Sequence, residues 1–198
     1  MLGDLFADPQ GTDEEILAAT YRALVDHGYA ELTIQRIGAE LGKSPSLVYH
    51  HYENKDELVL ACLEFMLDRF RTEMVDPEVD DPVVYLEETL DWMATAHDHP
   101  EEAAFLAVLV ELRTLAIHHE DYREHFTRSD RVVREHFVEI IEAGNAEGRL
   151  AVEEPESAAD TLVTALLGAI ERAATTENRA WTAGARDELA AYLGLPAT

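Results

Sequence analysis

The chain has 198 residues and 47% apolar side chains, enough to build one large domain or two smaller ones sharing a core and too much for wholesale disorder. Its 41 acidic against 15 basic residues give a net charge of −26, which argues against the generic basic patch of a nucleic-acid binder. A single cysteine, Cys62, excludes an intramolecular disulfide framework and any multi-cysteine zinc site.

Helix signals recur along the chain, and no segment shows the sustained apolar/polar alternation of a strand. Asp13-Glu14-Glu15 form an acidic first turn after Gly11-Thr12, with Ile16, Leu17, Thr20 and Leu24 on one face and Gly28 as a stop. Thr33 caps a short helix to Leu41, with Ile34, Ile37 and Leu41 inward. Gly42 ends it, Ser44 caps the next, and Pro45 sits at the first position of a helix reaching about His51. Residues 54–72 are apolar almost all round, as suits a connector buried on several sides.

Asp81-Pro82 opens a helix to about His97 on the stripe Val83, Leu86, Leu90, Met93, and Pro100 opens another to about His118. A long helix covers Tyr122 to Asn145, ended by Gly144 and Gly148. Glu154-Pro155-Glu156 starts one with Ala158, Leu162, Leu166, Ala169 and Ala173 on one face, and a last one carries Ala185, Leu189, Tyr192 and Leu193. The expectation is an all-α fold of about nine helices. It divides into an N-terminal three-helix helix-turn-helix domain (1–54) and a larger helical ligand-binding and dimerisation domain (55–198).

The densest signal lies at residues 31–58. This stretch holds both lysines of the chain, Lys43 and Lys55, and has a local net charge of −2 while the remaining 170 residues carry −24. A seven-residue helix is too short to stand alone, so Leu47 or Val48 must anchor it, leaving Ser46, Tyr49 and His50 outward. A short capped helix crossing a preceding one is the geometry that enters a major groove. Ser44 and Ser46 allow close approach to base edges, and Pro45 offers an apolar surface to a thymine methyl. Tyr49, His50 and His51 suit phosphate oxygens, with Lys43 and Lys55 as point charges. Thr33, Gln35 and Arg36 open the first helix within reach of the backbone, with Gln35 a candidate for adenine.

With the preceding helix from Thr12 to His27, this stretch resembles the N-terminal DNA-binding domain of the TetR family of transcriptional regulators. The matching residues are Thr33, Ile37, Gly42, Ser44, Tyr49, His51, Tyr52, Lys55 and Leu58, about a quarter of the chain being covered. Departures are Gly38 for the usual alanine, Lys43 for a small apolar residue, and Ser46-Leu47 for Gly-Thr or Pro-Thr. The resemblance implies a cytoplasmic homodimer on double-stranded DNA at a palindromic operator. Its C-terminal half would hold a ligand pocket and a dimer face made by the last two long helices, and a ligand-released repressor is the commoner habit.

The stripe Ala158, Leu162, Leu166, Ala169, Ala173, extended by Leu189 and Tyr192, is the candidate dimer face, an intramolecular core stripe being the alternative. Candidates to line a pocket for a hydrophobic or amphipathic effector are Phe65, Met66, Phe70, Met74, Trp92, Met93, Phe105, Leu109, Arg113, Tyr122 and Phe126. The repeated Arg-Glu-His-Phe at 123–126 and 134–137 puts His125 and His136 on one helix face, yet no His-Glu-x-x-His occurs and surface histidines are the simpler reading. No catalytic constellation, cofactor fingerprint or metal motif is found, no apolar run approaches the roughly 18 residues of a membrane span, and the first residues lack the basic start and apolar stretch expected of a leader peptide. The alternative function is a helical ligand- or metal-binding interaction module without DNA binding.

One acidic residue in five, with thirteen arginines to two lysines, predicts a protein adapted to molar salt, and DNA binding whose salt dependence is flat or inverted.

Overall fold

The computed structural model describes Phe6 and residues 8–196. Most of the N-terminal stretch that argues against a leader (Met1–Leu5 and Ala7) lies outside these residues. Among those described, the fold is all-α, with α1 Thr12–Glu31, α2 Ile34–Leu41, α3 Pro45–His51, α4 Lys55–Phe70 and α5 Pro82–Thr95. Then follow α6 Pro100–Leu115, α7 Glu120–Ala146, α8 Pro155–Thr175 and α9 Thr182–Leu193. No described helix is long and apolar enough to cross a membrane. The helices form two compact units. One comprises the chain up to Glu73 with 104–127, the other 74–103 with the chain from Arg128 onward. By packing, α4 therefore joins the N-terminal helices, whereas the sequence suggested a division at 54/55.

In the first unit α1 buries Ile16, Leu17, Ala19, Ala23 and Leu24. Gly28 breaks the helix, as its stop signal suggests, but a further turn follows to Glu31: Gly28 sits at φ 70°, ψ 168°, a left-handed φ that only glycine adopts cheaply. The amide freed by this break, that of Tyr29, donates to Glu111 Oε1 on α6 at 2.9 Å. A Cβ at Gly28 would lie 3.2 Å from both Glu111 carboxylate oxygens, so the kink and its acceptor are built together. Cys62 of α4 is fully buried and its thiol donates weakly to the Leu17 carbonyl at 3.8 Å. Burial pushes its pKa up to about 12, which makes it an inert core residue.

The second unit closes on one apolar cluster. It unites Val83, Leu86, Leu90 and Met93 of α5 with Phe137, Ile140 and Ile141 of α7, Leu162 and Leu166 of α8, and Leu193 of α9. The α8 stripe corrects the expectation of a dimer face. Ala158, Leu162, Leu166 and Ala169 are members of this cluster, and Ala173 is also buried, so the stripe packs inside its own chain. Leu189 is half-buried against the cluster, and of the seven candidates only Tyr192 stands well exposed, at 54%. The outward side of α8 carries Thr161, Thr164 and Gly168 instead, and Tyr192 Oη lies 3.5 Å from Thr161 Oγ1.

Gly144 is a close-approach residue within α7 rather than the helix stop the sequence suggested, since the chain leaves α7 through Gly148 at φ 69°. A Cβ at Gly144 would fall 2.6 Å from Leu150 Cδ1 and 2.8 Å from its Cγ. Leu150 is buried, and its amide and that of Arg149 both donate to the Gly144 carbonyl, at 3.1 and 3.0 Å. The side chain thus has little room to retreat. Gly144→Ala would ordinarily gain about 1 kcal/mol of helix propensity. Here overpacking outweighs it, and a net loss of about 2 kcal/mol is expected. Urea unfolding in 2 M KCl measures this, and a variant as stable as the parent would show that Leu150 repacks without cost.

Candidate nucleic-acid interface

The turn between α2 and α3 is built by local chemistry. Thr33 Oγ1 accepts from the Arg36 amide at 3.2 Å and caps α2, and Gly42 closes it in the left-handed region at φ 66°. Ser44 Oγ then accepts from the Ser46 amide at 3.3 Å and Pro45 takes the first position of α3. Gly38, which the sequence marks only as a departure from alanine, has a spatial reason. A Cβ there would lie 3.1 Å from Pro45 Cγ and 3.3 Å from the Lys43 carbonyl, so its absence lets α2 and α3 approach closely.

Val48 is the anchor of α3, fully buried, with Leu47 half-buried beside it. The face opposite presents Ser44, Ser46, Tyr49 and His50, all exposed, with Tyr49 at 52%. Pro45 is half-buried against Gly38, while Thr33 and Gln35 are exposed at the start of α2. These seven candidates lie on one short helix-turn-helix as expected.

The basic candidates are placed differently from free phosphate ligands. Lys43 pairs with Glu15 of α1, and His51 Nδ1 lies 2.5 Å from Asp13 Oδ1. Arg36 is 3.2 Å from Glu31 Oε2 and also donates to the Glu31 carbonyl. Lys55 opens α4, donates to the Tyr29 carbonyl at 3.1 Å, and stands 3.9 Å above the Tyr29 ring. One of its three N–H donors is thus engaged at the α1 kink.

Around that kink is a polar cluster that sequence reasoning missed. The Tyr29 hydroxyl donates to Asp56 Oδ1, the Tyr122 hydroxyl reaches the same oxygen at 3.4 Å, and the two rings meet edge to face at 6.4 Å. Burial first, then the Asp56 carboxylate that accepts from it, pushes the Tyr29 pKa up to about 12. Burial and the neighbouring Tyr29 and Asp56 raise that of Tyr122 as well, so both phenols stay protonated donors. One signal was available: Glu111 is a carboxylate inside an apolar run of α6, just as Arg113 is a cation inside it.

The pocket candidates divide between the units. Phe65, Met66, Phe70, Phe105, Leu109, Arg113, Tyr122 and Phe126 lie in the first, and Met74, Trp92 and Met93 in the second. Met66, Phe105, Tyr122 and Phe126 are buried there, Phe65, Phe70 and Leu109 half-buried, and the Arg113 guanidinium stacks 5.0 Å from the Phe126 ring. Met93 is part of the second unit's core, whereas the buried Nε1 of Trp92 has no hydrogen-bond partner. An open cavity of about 430 Å³ in the second unit lies at the α7–α8 loop and the end of α9, lined by Arg149, Leu150, Val152 and Tyr192 among others. None of the pocket candidates lines it.

His125 and His136 are not surface residues, contrary to the simpler reading. His125 is 4% exposed with Nδ1 2.8 Å from Glu64 Oε1, and His136 is 3% exposed with Nε2 2.9 Å from the Tyr85 hydroxyl. Each fills a core position with one polar partner in place. No three potential metal ligands gather among the described residues.

Comparison with known proteins agrees with this geometry. Residues 16–62, which hold the buried face of α1, all of α2 and α3 and the first half of α4, match the family description "Bacterial regulatory proteins, tetR family". The chain is 36% identical over 131 residues to the HTH-type transcriptional repressor SCO4008 of Streptomyces coelicolor, covering 65% of this chain and 66% of that one. It is 23% identical over 177 residues to the repressor AcnR of Corynebacterium glutamicum, covering 85% and 87% respectively. The crystal structure of a TetR transcription regulator from Haloarcula marismortui superposes with a TM-score of 0.80 at 34% identity, covering 92% of this chain and 96% of that one.

Proposed function

Because the chain belongs to the TetR family and is a DNA-binding transcriptional regulator rather than an enzyme, we propose that it acts in the cytoplasm as a homodimeric, ligand-released repressor on a palindromic operator. The observation that carries this reading is α3, a seven-residue helix with Val48 fully buried and Ser44, Ser46, Tyr49 and His50 turned outward. In this reading Ser44, Ser46 and Pro45 meet base edges, Tyr49 and His50 meet phosphates, and Thr33 and Gln35 reach the flanking backbone. Lys43, Arg36 and His51 contribute only once released from their carboxylates, and Lys55 supports α1 and α4 from within. Residues 1–54 supply the DNA-binding function and 55–198 the ligand and dimer functions.

The dimer face we propose is the outward side of α8 and α9, where Thr161, Thr164, Gly168 and Tyr192 are exposed and a Cβ at Gly168 would meet nothing within 4 Å. Small residues there permit close helix packing across a two-fold axis. A hydrophobic or amphipathic effector that prefers a splayed dimer would move the two copies of α3 off the roughly 34–36 Å spacing of successive major grooves. The unpartnered Trp92 Nε1 supports an effector that presents a hydrogen-bond acceptor.

The test is footprinting on the DNA upstream of the protein's own gene in 2 M KCl, with the parent and Tyr49→Ala. The parent is expected to protect a palindrome, and the variant to need roughly tenfold more protein for the same protection, since a lost phosphate contact is worth about 1.4 kcal/mol. Equal protection by both would remove Tyr49 from the interface.

A further inference from the structure

The basic side chains flanking the outward face of α3 each meet a carboxylate of the same unit. Lys43, in the turn that leads into α3, holds Glu15; Arg36 of α2 holds Glu31; and His51, the last residue of α3, holds Asp13. Two of the three carboxylates stand in the first turn of α1. The pairs lie in water: the side chains of Lys43 and Glu15 are 43% and 41% exposed, and those of Glu31 and Asp13 are both 71% exposed. Exposed pairs of this kind are weak and yield to salt.

We infer that Glu15, Glu31 and Asp13 are autoinhibitory residues that compete with DNA phosphates for Lys43, Arg36 and His51. The inference rests on the reading that α3 docks on DNA. For a phosphate to take Lys43, Glu15 must let go, and it is then left beside the negative backbone. In dilute buffer that exchange replaces one screened pair by another and adds a repulsion. In concentrated KCl the released carboxylate is screened or neutralised by potassium, and the repulsion fades.

The consequence is thermodynamic. A cation that neutralises a phosphate normally releases about 0.9 counterion from DNA, which is why affinity falls with salt. Here the released carboxylate takes a cation back, so each exchange contributes almost nothing to the salt slope. The unusual salt dependence expected of so acidic a regulator is thereby assigned to particular pairs. Glu15 and Glu31 have well-defined partners that can be removed separately or together.

The experiment uses duplexes that the full-length parent selects from a randomised pool in 2 M KCl. Affinity is then measured from 0.1 to 2 M KCl for the parent, Glu15→Gln, Glu31→Gln, Lys43→Gln and the double variant Glu15→Gln/Lys43→Gln. Circular dichroism confirms equal helix content at each salt. Glu15→Gln is expected to bind about fivefold tighter than the parent at 0.1 M KCl and less than about twofold tighter at 2 M. Its log affinity against log salt should steepen by about 0.3–0.5 over this range, part of the roughly 0.9 that one fully released counterion would give. Glu31→Gln should act alike through Arg36, and the double variant should lose the gain, because without Lys43 there is nothing for Glu15 to withhold. Unchanged affinity and slope in both glutamate variants would overturn the inference while leaving DNA binding intact. A folded parent that enriches no sequence from the pool would instead overturn the docking reading beneath it.

Discussion

Transfer from 2 M to 0.1 M KCl is expected to lower the melting midpoint of this protein by about 20 °C, a loss of about 6 kcal/mol at roughly 3 °C per kcal/mol for a chain of this size. The charges are 41 carboxylates against 15 Lys and Arg side chains, a net −26 on 198 residues. Many of the few cations are already engaged: Arg134 holds both Asp160 and Glu156, Arg149 holds Asp81, and Arg186 holds Asp91. Most carboxylates therefore face one another through water, where the screening length is about 3 Å at 1 M salt and about 10 Å at 0.1 M. Dilution lets repulsion accumulate over the folded surface, while the unfolded chain relieves it by expanding. Thermal melting followed by circular dichroism at constant pH measures the effect. A midpoint that moves by less than about 3 °C would show that the acidic surface carries no salt requirement for stability.

Val48→Asp should abolish operator binding altogether, with affinity falling at least about a thousandfold, whereas Tyr49→Ala, one residue along, costs roughly tenfold. Val48 is fully buried while Tyr49 is half in solvent. With seven residues α3 is far below the length at which a helix survives alone, so its order comes from this anchor, from the Ser44 cap and from the contact of Pro45 with Gly38. A buried carboxylate without a cationic partner costs about 3–5 kcal/mol, more than so short a helix can recover from its cap. The helix should come off the unit and take the recognition face with it. Titration of the selected duplex with both variants, beside their melting curves, checks the pair. Measurable specific binding by Val48→Asp would show that α3 is held in place by something other than its buried face.

The two variants also mark what kind of information the chain carries locally. The helix-turn-helix was legible because its punctuation is short-range: Thr33, Gly42, Ser44 and Pro45 act on backbone groups within a few residues, and each does in the structure what its chemistry suggests. The inward stripes of α5 and α8 were legible for the same reason, since a period of 3.6 puts Leu86, Leu90, Leu162 and Leu166 on single faces. Periodicity says that such a face is covered and not by what. The α8 stripe reads equally as a dimer seam or as core, and α5, α7 and α9 of the same chain cover it.

Polar residues show the same limit more sharply. Lys55 reads as a phosphate ligand in sequence because a lysine at a helix start carries no mark of its partners, and one of those partners is the Tyr29 carbonyl, 26 positions earlier. Glu111 accepts from the Tyr29 amide at the α1 kink from 82 positions away, and His136, which reads as a surface histidine in sequence, is buried against Tyr85 from 51 positions earlier. Caps, turns and amphipathic faces follow from interactions among near neighbours, whose geometry the backbone imposes in any context, and these were enough to determine the helices, most of their ends and the outward face of α3. Which face is core, which ion is spent and which donor meets which acceptor depend on segments brought together only by packing, because hydrogen bonds and ion pairs are chosen by distance in space and not by distance along the chain.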